Sequence, residues 1–365
     1  MDSVAAWLAL KEIKGIGNRL FLQLLDRFGP PENIFRASPH ELRDVPAIGP
    51  ALASQISRRT VSDTVKRELE LIASSNCHVV TFLDSSYPTL LRRIPDPPPY
   101  LYVYGTLFPD HANIAVVGSR NATPYGKSTT ERLCIALAAR GITVVSGMAR
   151  GIDTAAHEGA LQGNGTTVAV LGSGLGTIYP AENRRLFHRI AKRGAVISEF
   201  PFHAPPDPHH FPIRNRIISG ISAGTVIVEA TQKSGSLITA KLAADQGREV
   251  FAVPGSVASF KSMGTHKLIK EGAKLVEQVD DILEELNLQP DVPRTDSSPS
   301  PISVPVTAEE KRILDELTPY PVHIDCVLRQ VPLPPGKVSS LLLQLELKGL
   351  VQQSPGKLFA RKDEI

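Results

Sequence analysis

Five places in the sequence set small residues and hydroxyls, three of them with a cation, directly after an apolar run, a combination suited to holding a phosphate. They are Gly118-Ser119-Arg120 after NIAVV, Ser146-Gly147-Met148-Ala149-Arg150-Gly151 after ITVV, Gly172-Ser173-Gly174 after TTVAVL, Ser198-Glu199-Phe200-Pro201 after AVI, and Glu229 with Lys233-Ser234-Gly235-Ser236 after GTVIV. Glycine lets a ligand approach the main chain, while helix N-termini and cations favour negative charge. A dinucleotide site would need G-x-G-x-x-G in the first turn and an acidic residue ending the second run. Neither is present: GSRNATPYG supplies only Gly118 before Arg120, and VVSGMARG ends the second run in Ser146 and Gly147. The expected ligand is a phosphate held by backbone N–H groups, the Ser119 hydroxyl and the Arg120 guanidinium. No nicotinamide and no other cofactor is implied.

Such turns need a scaffold that gathers strand ends. From 113 to about 286, buried-strand runs alternate with helical stretches to Arg140, over 152–162, after Ala181, near 214–222 and over 236–246. Continuous apolar strands separated by helices indicate an α/β fold, a Rossmann-like parallel sheet covered on both faces. Ligands of such sheets bind beyond the carboxyl ends of the strands, near the topological switch point.

The flanks differ from this core. Residues 1–62 are expected to form short helices around IKGIGN and VPAIGP, resembling a tandem helix-hairpin-helix (SAM-like) domain. Gly15, Gly17 and Gly49 there either offer N–H groups to a phosphate or cap helices in tight turns. Pro50 removes one donor. The Rossmann-like region is assigned to 63–287, with the proline-rich stretch 85–105 extended and packed against the core. Residues 288–305, rich in proline and serine, suggest a flexible linker. The tail 306–365 suggests three helices and a hairpin about SPGK, a winged helix. Its basic and acidic residues are equal in number, which weakens the case for a regulator that reads duplex DNA.

A chain of 365 residues exceeds what one hydrophobic core usually organises, and 42% hydrophobic with 21% charged residues suits globular domains. A net charge of +3 does not announce a nucleic-acid binder, although an even balance can hide a basic groove. Cys77, Cys134 and Cys326 lack paired or metal-like spacing, as expected of buried small hydrophobes in a reducing cytosol. No apolar run is long enough for a bilayer, and the N-terminal stretch is charged where a signal peptide would be apolar. A cytoplasmic location without membrane contact is expected.

The ordered stretches VVGSRNATPYG, VVSGMARGIDTAAHEGAL, AVLGSGL, IYPAEN, ISEFP, FPIRNRIISGIS, VIVEA, KSGSLITAKLAADQGREVFAVPG and GTHKLIKEGAKLV resemble the DNA-processing protein A family, also called Smf. The resemblance covers roughly 113 to 276. It implies an extended Rossmann domain that binds single-stranded DNA without chemistry on the bases, forms a homodimer, and helps load RecA recombinase during natural transformation. It also implies a phosphate pocket of Gly118, Ser119 and Arg120, with Gly147, Arg150, Gly151 and Gly174 shaping neighbouring turns. Arg214 and Arg216 flanking Asn215, and Lys233 before Ser234-Gly235-Ser236, would extend a basic surface, and Phe211 would stack on a base. Two positions depart from the family pattern: Ile213, where many relatives have arginine, and His266, where GTN is usual.

Other assignments compete at several of these residues. Arg214 or Arg216 is equally suited to an internal ion pair with Glu199 or Glu229. Asp153 is explained by capping the helix it opens, and His157, one turn on, by a structural hydrogen bond. His203, His209 and His210 share a loop but lack supporting ligands, so no metal site is expected. Glu199, Glu229 and Asp153 near one crevice would suit a nucleotide or phosphoribosyl hydrolase, the rival to a binding protein with no catalytic residue.

Overall fold

A computed structural model describes residues 3–109, 111–288 and 306–361. Six helices open the chain: α1 (Ser3–Glu12), α2 (Asn18–Phe28), α3 (Pro31–Arg36), α4 (Pro39–Arg43), α5 (Pro50–Ser57) and α6 (Asp63–Ser74). Gly17 and Gly49 precede α2 and α5 without any side-chain cap, and Gly15 adopts φ 100°, a left-handed turn that suits glycine. Trp7 stacks on Phe21 with ring centroids 5.4 Å apart, fastening α1 to α2.

Two strands follow, β1 (Cys77–Thr81) and β2 (Tyr100–Gly105). The core then alternates β3 (Asn113–Val117), α7 (Pro124–Ala139), β4 (Thr143–Ser146), α8 (Ile152–Gln162), β5 (Thr167–Val170), α9 (Arg184–Arg193), β6 (Ala195–Ser198), α10 (His210–Ile221), β7 (Gly224–Ile227), α11 (Gly235–Asp245), β8 (Glu249–Ala252), α12 (Met263–Lys270), β9 (Lys274–Leu275) and α13 (Val279–Glu285). The sheet order is β1-β2-β6-β5-β4-β3-β7-β8-β9. Pairing is parallel from β6 to β9, while β2 runs antiparallel to both β1 and β6. The proline-rich stretch is thus more than an extended lead-in, because its last residues add a strand to the sheet. The chain leaves β3 in one direction to β4 and returns after β6 to place β7 on its other side, which puts the switch point between β3 and β7.

Both faces of the sheet are covered. Leu133, Leu137, Ile152 and Ala156 of α7 and α8 pack with Val116 and Val226 on one face, and Ile217, Ile218 and Ala240 of α10 and α11 pack with Ala115 and Ile227 on the other. The N-terminal helices share a core with Leu186, Phe187 and Ile190 of α9.

A separate core holds the C-terminal unit of α14 (Ala308–Glu316), β10 (Val322–His323), α15 (Ile324–Gln330), α16 (Pro335–Leu347), β11 (Val351–Ser354) and β12 (Leu358–Arg361), a winged helix. Tyr320 joins it to the sheet, its hydroxyl accepting from Ser256 N at 2.6 Å and its ring lying 5.5 Å from that of Tyr125. The expected linker falls almost wholly on 289–305, outside the described residues. Of the three cysteines only Cys134 is buried; Cys326 is exposed, which corrects the expectation for that residue. No described helix is long and apolar enough to cross a membrane.

Candidate nucleic-acid interface

The loops after β3, β4, β5, β6 and β7 meet at the carboxyl rim of the sheet. Those after β3 and β4 are locked together: Ile152 N donates to Ser119 O at 3.1 Å, and Gly151, at φ 76°, lies directly under the Ser119 and Arg120 carbonyls. A Cβ on Gly118 would meet Ile152 at 2.7 Å, and one on Gly147 would meet the Asp153 carboxylate at 2.7 Å and the Arg214 guanidinium at 2.8 Å. A Cβ on Gly174 would collide with the Pro201 and Phe202 carbonyls. These glycines therefore serve loop-to-loop packing, and shape the rim by letting its turns interlock.

Arg120 is exposed, and its guanidinium carbon sits 5.2 Å from the centroid of the Phe211 ring. Phe211 packs against Gly172 and lies 5.8 Å from Tyr179, which is 46% exposed. Tyr179 is thus an open aromatic surface that the sequence reading passed over. Arg150 is exposed but already paired with Glu182 at 2.8 Å. Lys233 is exposed, and neither it nor Arg120 forms a salt bridge among the described residues. Lys261, a second residue not anticipated, reaches the Asn121 carbonyl in the β3 turn.

Two expected surface cations are internal, a correction to the sequence reading. Arg214 is 3% exposed; it donates to the Gly147 carbonyl at 2.7 Å and to the Val170 carbonyl, tying together the ends of β4 and β5. Burial pulls its pKa down to about 10, against the pull of Asp153, so it stays charged at neutral pH. Asp153 is raised by the same burial, opposed by Arg214 and by the Ala149 N–H it accepts at 3.2 Å. Arg216 forms a bidentate pair with Glu199 at 2.6 and 2.9 Å and reaches Asp96 at 3.2 Å. Their helix explains the reversal. α10 crosses beneath the strand ends with most of its length buried, so its side chains meet carbonyls and carboxylates before solvent. Asn215 lies between them, its Oδ1 accepting from Arg214 Nε at 3.2 Å.

The two helix N-termini flanking the switch point differ. At α7, Thr123 Oγ1 accepts Gly126 N at 3.0 Å, and the buried Glu229 carboxylate accepts Thr123 N at 3.0 Å and the Thr123 hydroxyl. The protein's own acid occupies the place expected for a phosphate at that dipole. Among the described residues no side chain caps α11: Ser234 makes no capping bond, a Cβ on Gly235 would meet open space, and Ser236 Oγ is buried without a partner. The open anion-favouring end is therefore α11, with Lys233 beside it.

The remaining chemistry is occupied. His157 is buried, its Nδ1 2.7 Å from Thr167 Oγ1, and burial drops its pKa to about 3, so it is a neutral structural imidazole at neutral pH. His210 stacks on Phe200 at 4.0 Å, and no group of three or more potential metal ligands occurs among the described residues.

Three family models match consecutive parts of the chain: a SAM-like helix-hairpin-helix tandem over 8–59, DNA recombination-mediator protein A over 78–287, and the DprA winged helix domain over 297–357. The chain is 36% identical to Protein Smf of Synechocystis sp. over 98% of both chains, and 42% identical to Protein Smf of Escherichia coli over 80% of both. The X-ray structure of DNA processing protein A from Streptococcus pneumoniae aligns with a TM-score of 0.68 at 36% identity, covering 77% of this chain and 97% of that one. A structure of DNA processing protein A from Helicobacter pylori, concerned with that protein's single-stranded DNA binding mode, aligns with a TM-score of 0.51 at 30% identity over 57% of this chain and 96% of that one. With a matching model over 78–287 and such identity along nearly its whole length, this chain belongs to the DNA recombination-mediator protein A family, known as DprA or Smf.

Proposed function

We propose that this chain binds single-stranded DNA along the carboxyl rim of its sheet and acts as a recombination mediator with no chemical step of its own. The observation that carries the reading is Arg120: an exposed guanidinium, without a salt bridge among the described residues, held against an aromatic ring on a turn fixed by Gly118 and Gly151. Backbone phosphates would meet Arg120, Lys233 and the open end of α11, while bases would lie against Tyr179 and the free part of Phe211. Gly147, Gly174 and the buried Arg214 support that surface from below, while the exposed Arg150 stays paired with Glu182 at its edge. Arg216 anchors α10 to Glu199. The family further suggests a cytoplasmic homodimer that passes the strand to RecA recombinase in natural transformation.

The hydrolase reading draws less support. Glu199 is held by Arg216, Glu229 by Thr123, and Asp153 lies buried under Gly147, so none of the three carboxylates is placed to attack or to move a proton. The test is fluorescence anisotropy with labelled single strands. Arg120→Ala is expected to lower affinity about tenfold and to flatten the logarithmic salt slope by about 0.7, with an unchanged melting temperature. Undiminished affinity in that variant would refute the site, and nucleotide turnover by the wild type would revive the hydrolase.

A further inference from the structure

Helix α9 carries a charge pattern that neither the core nor the rim explains. Its inner face, Leu186, Phe187 and Ile190, is buried, while Arg184, Arg185, His188, Arg189, Lys192 and Arg193 are all exposed. These form two rows at i, i+4, i+8, with successive members about 6 Å apart along the axis. Among the described residues only Arg189 is in a salt bridge, with Glu158 at 2.7 Å. Like charges four apart repel, and Arg184 and Arg185 stand in the first turn, which has no acidic residue and where the helix dipole disfavours cations. Lys192 and Arg193 in the last turn suit the dipole, so the unfavourable part is the first turn and the like-charge rows, which an anion along the ridge would relieve.

The ridge is also continuous with the rim. Asn183, just before α9, donates to the Met148 carbonyl at 2.9 Å in the β4 turn, and Glu182 holds Arg150. Tyr179 lies four residues before Asn183, beside Phe211. We infer that α9 is a second segment of the nucleic-acid track, taking the backbone of the same single strand as it leaves the rim past Tyr179 and descends the flank of the sheet. This rests on the single-strand reading above. An extended phosphodiester chain fits because it is a linear array of negative charges that pairs with a row of cations without any pocket. With 10 residues, α9 adds about 15 Å to the track.

The experiment uses the full chain and oligothymidylates of about 6 and about 20 nucleotides, a range spanning one and two track segments. The far-end variant Lys192→Gln/Arg193→Gln leaves the rim untouched and puts no new acid beside the Arg189–Glu158 pair, and Lys267→Gln/Lys270→Gln on α12 controls for net charge. The expected result is a tenfold or greater loss of affinity for the long strand and a salt slope flatter by about 1.4, two contacts' worth. Short-strand affinity should be unaffected, the melting temperature should shift by only a few degrees because Arg193 loses its bond to the Asn164 carbonyl, and the α12 control should be near wild type on both strands. Unchanged long-strand affinity and slope in the α9 variant would overturn the inference, as would equal losses on both strands or an equal loss in the control. Wild-type protein that binds neither strand would instead sink the single-strand reading itself.

Discussion

The N-termini of α7 and α11 stand on opposite sides of the switch point, each preceded by a β-strand and a short loop containing glycine, serine or threonine and a cation. They end differently. α7 is closed by Thr123 and the inward carboxylate of Glu229, whereas α11 has no side-chain cap, an open Gly235 and an unpartnered buried hydroxyl at Ser236. A helix start is left open to an anion only where the fold supplies no acid to it. Here the acid, Glu229, follows β7, four strands further along the chain but next door in the sheet, since β7 pairs with β3.

The sharpest way to break this contrast is to remove the acid. Glu229→Ala strips two hydrogen bonds from Thr123 and leaves its N–H and hydroxyl buried without an acceptor beside the helix start, a loss of about 3 kcal/mol. Urea unfolding with unchanged m would report it. A loss under about 1 kcal/mol would mean that water or another group can close α7, and that the two helix starts are alike after all.

A second measurement separates acid effects at the rim from an unrelated titration beneath it. His157 on α8 has a folded pKa of about 3 against an ordinary value of 6.5. As pH falls, the unfolded chain takes up the proton first, so stability is lost from about pH 6.5 downward until the folded pKa is reached. Between pH 7 and pH 5 this amounts to about 2 kcal/mol. His157→Gln should show that much less acid sensitivity in urea midpoints at the two pH values. If wild type and variant lose stability in parallel, the imidazole is not the titrating group.

Much of the fold was legible because its signals are local. Apolar runs such as IAVV and TVIV, separated by stretches of helical length, gave the parallel sheet, and Thr123 and Gly151 mark where α7 and α8 begin. The site was legible to the level of loops. Gly118, Arg120 and Lys233 are in turns, and turns at a sheet's carboxyl rim face solvent. Arg214 and Arg216 stayed divided between a surface role and an internal ion pair, because their burial depends on the ends of β4 and β5 and on Glu199 and Asp96, partners 17 or more positions away. Glu229 is the same case with opposite charge. Tyr179 was missed for want of any periodic or charged signal.

The finest test of the contrast asks whether α11 is truly unfilled. Ser236→Ala deletes a buried hydroxyl that has no partner, so folding should change by no more than about 0.5 kcal/mol, in contrast to the large cost at Glu229. On the proposed reading, a phosphate at this helix start gives the hydroxyl its partner. Strand affinity should therefore fall by about threefold, the worth of one ordinary hydrogen bond, at unchanged salt slope because no charge is lost. Lys233→Ala is the complement: it should flatten the slope by about 0.7 and leave the melting temperature alone. If Ser236→Ala destabilises the chain while sparing affinity, the hydroxyl is part of the fold, and α11 is closed as firmly as α7.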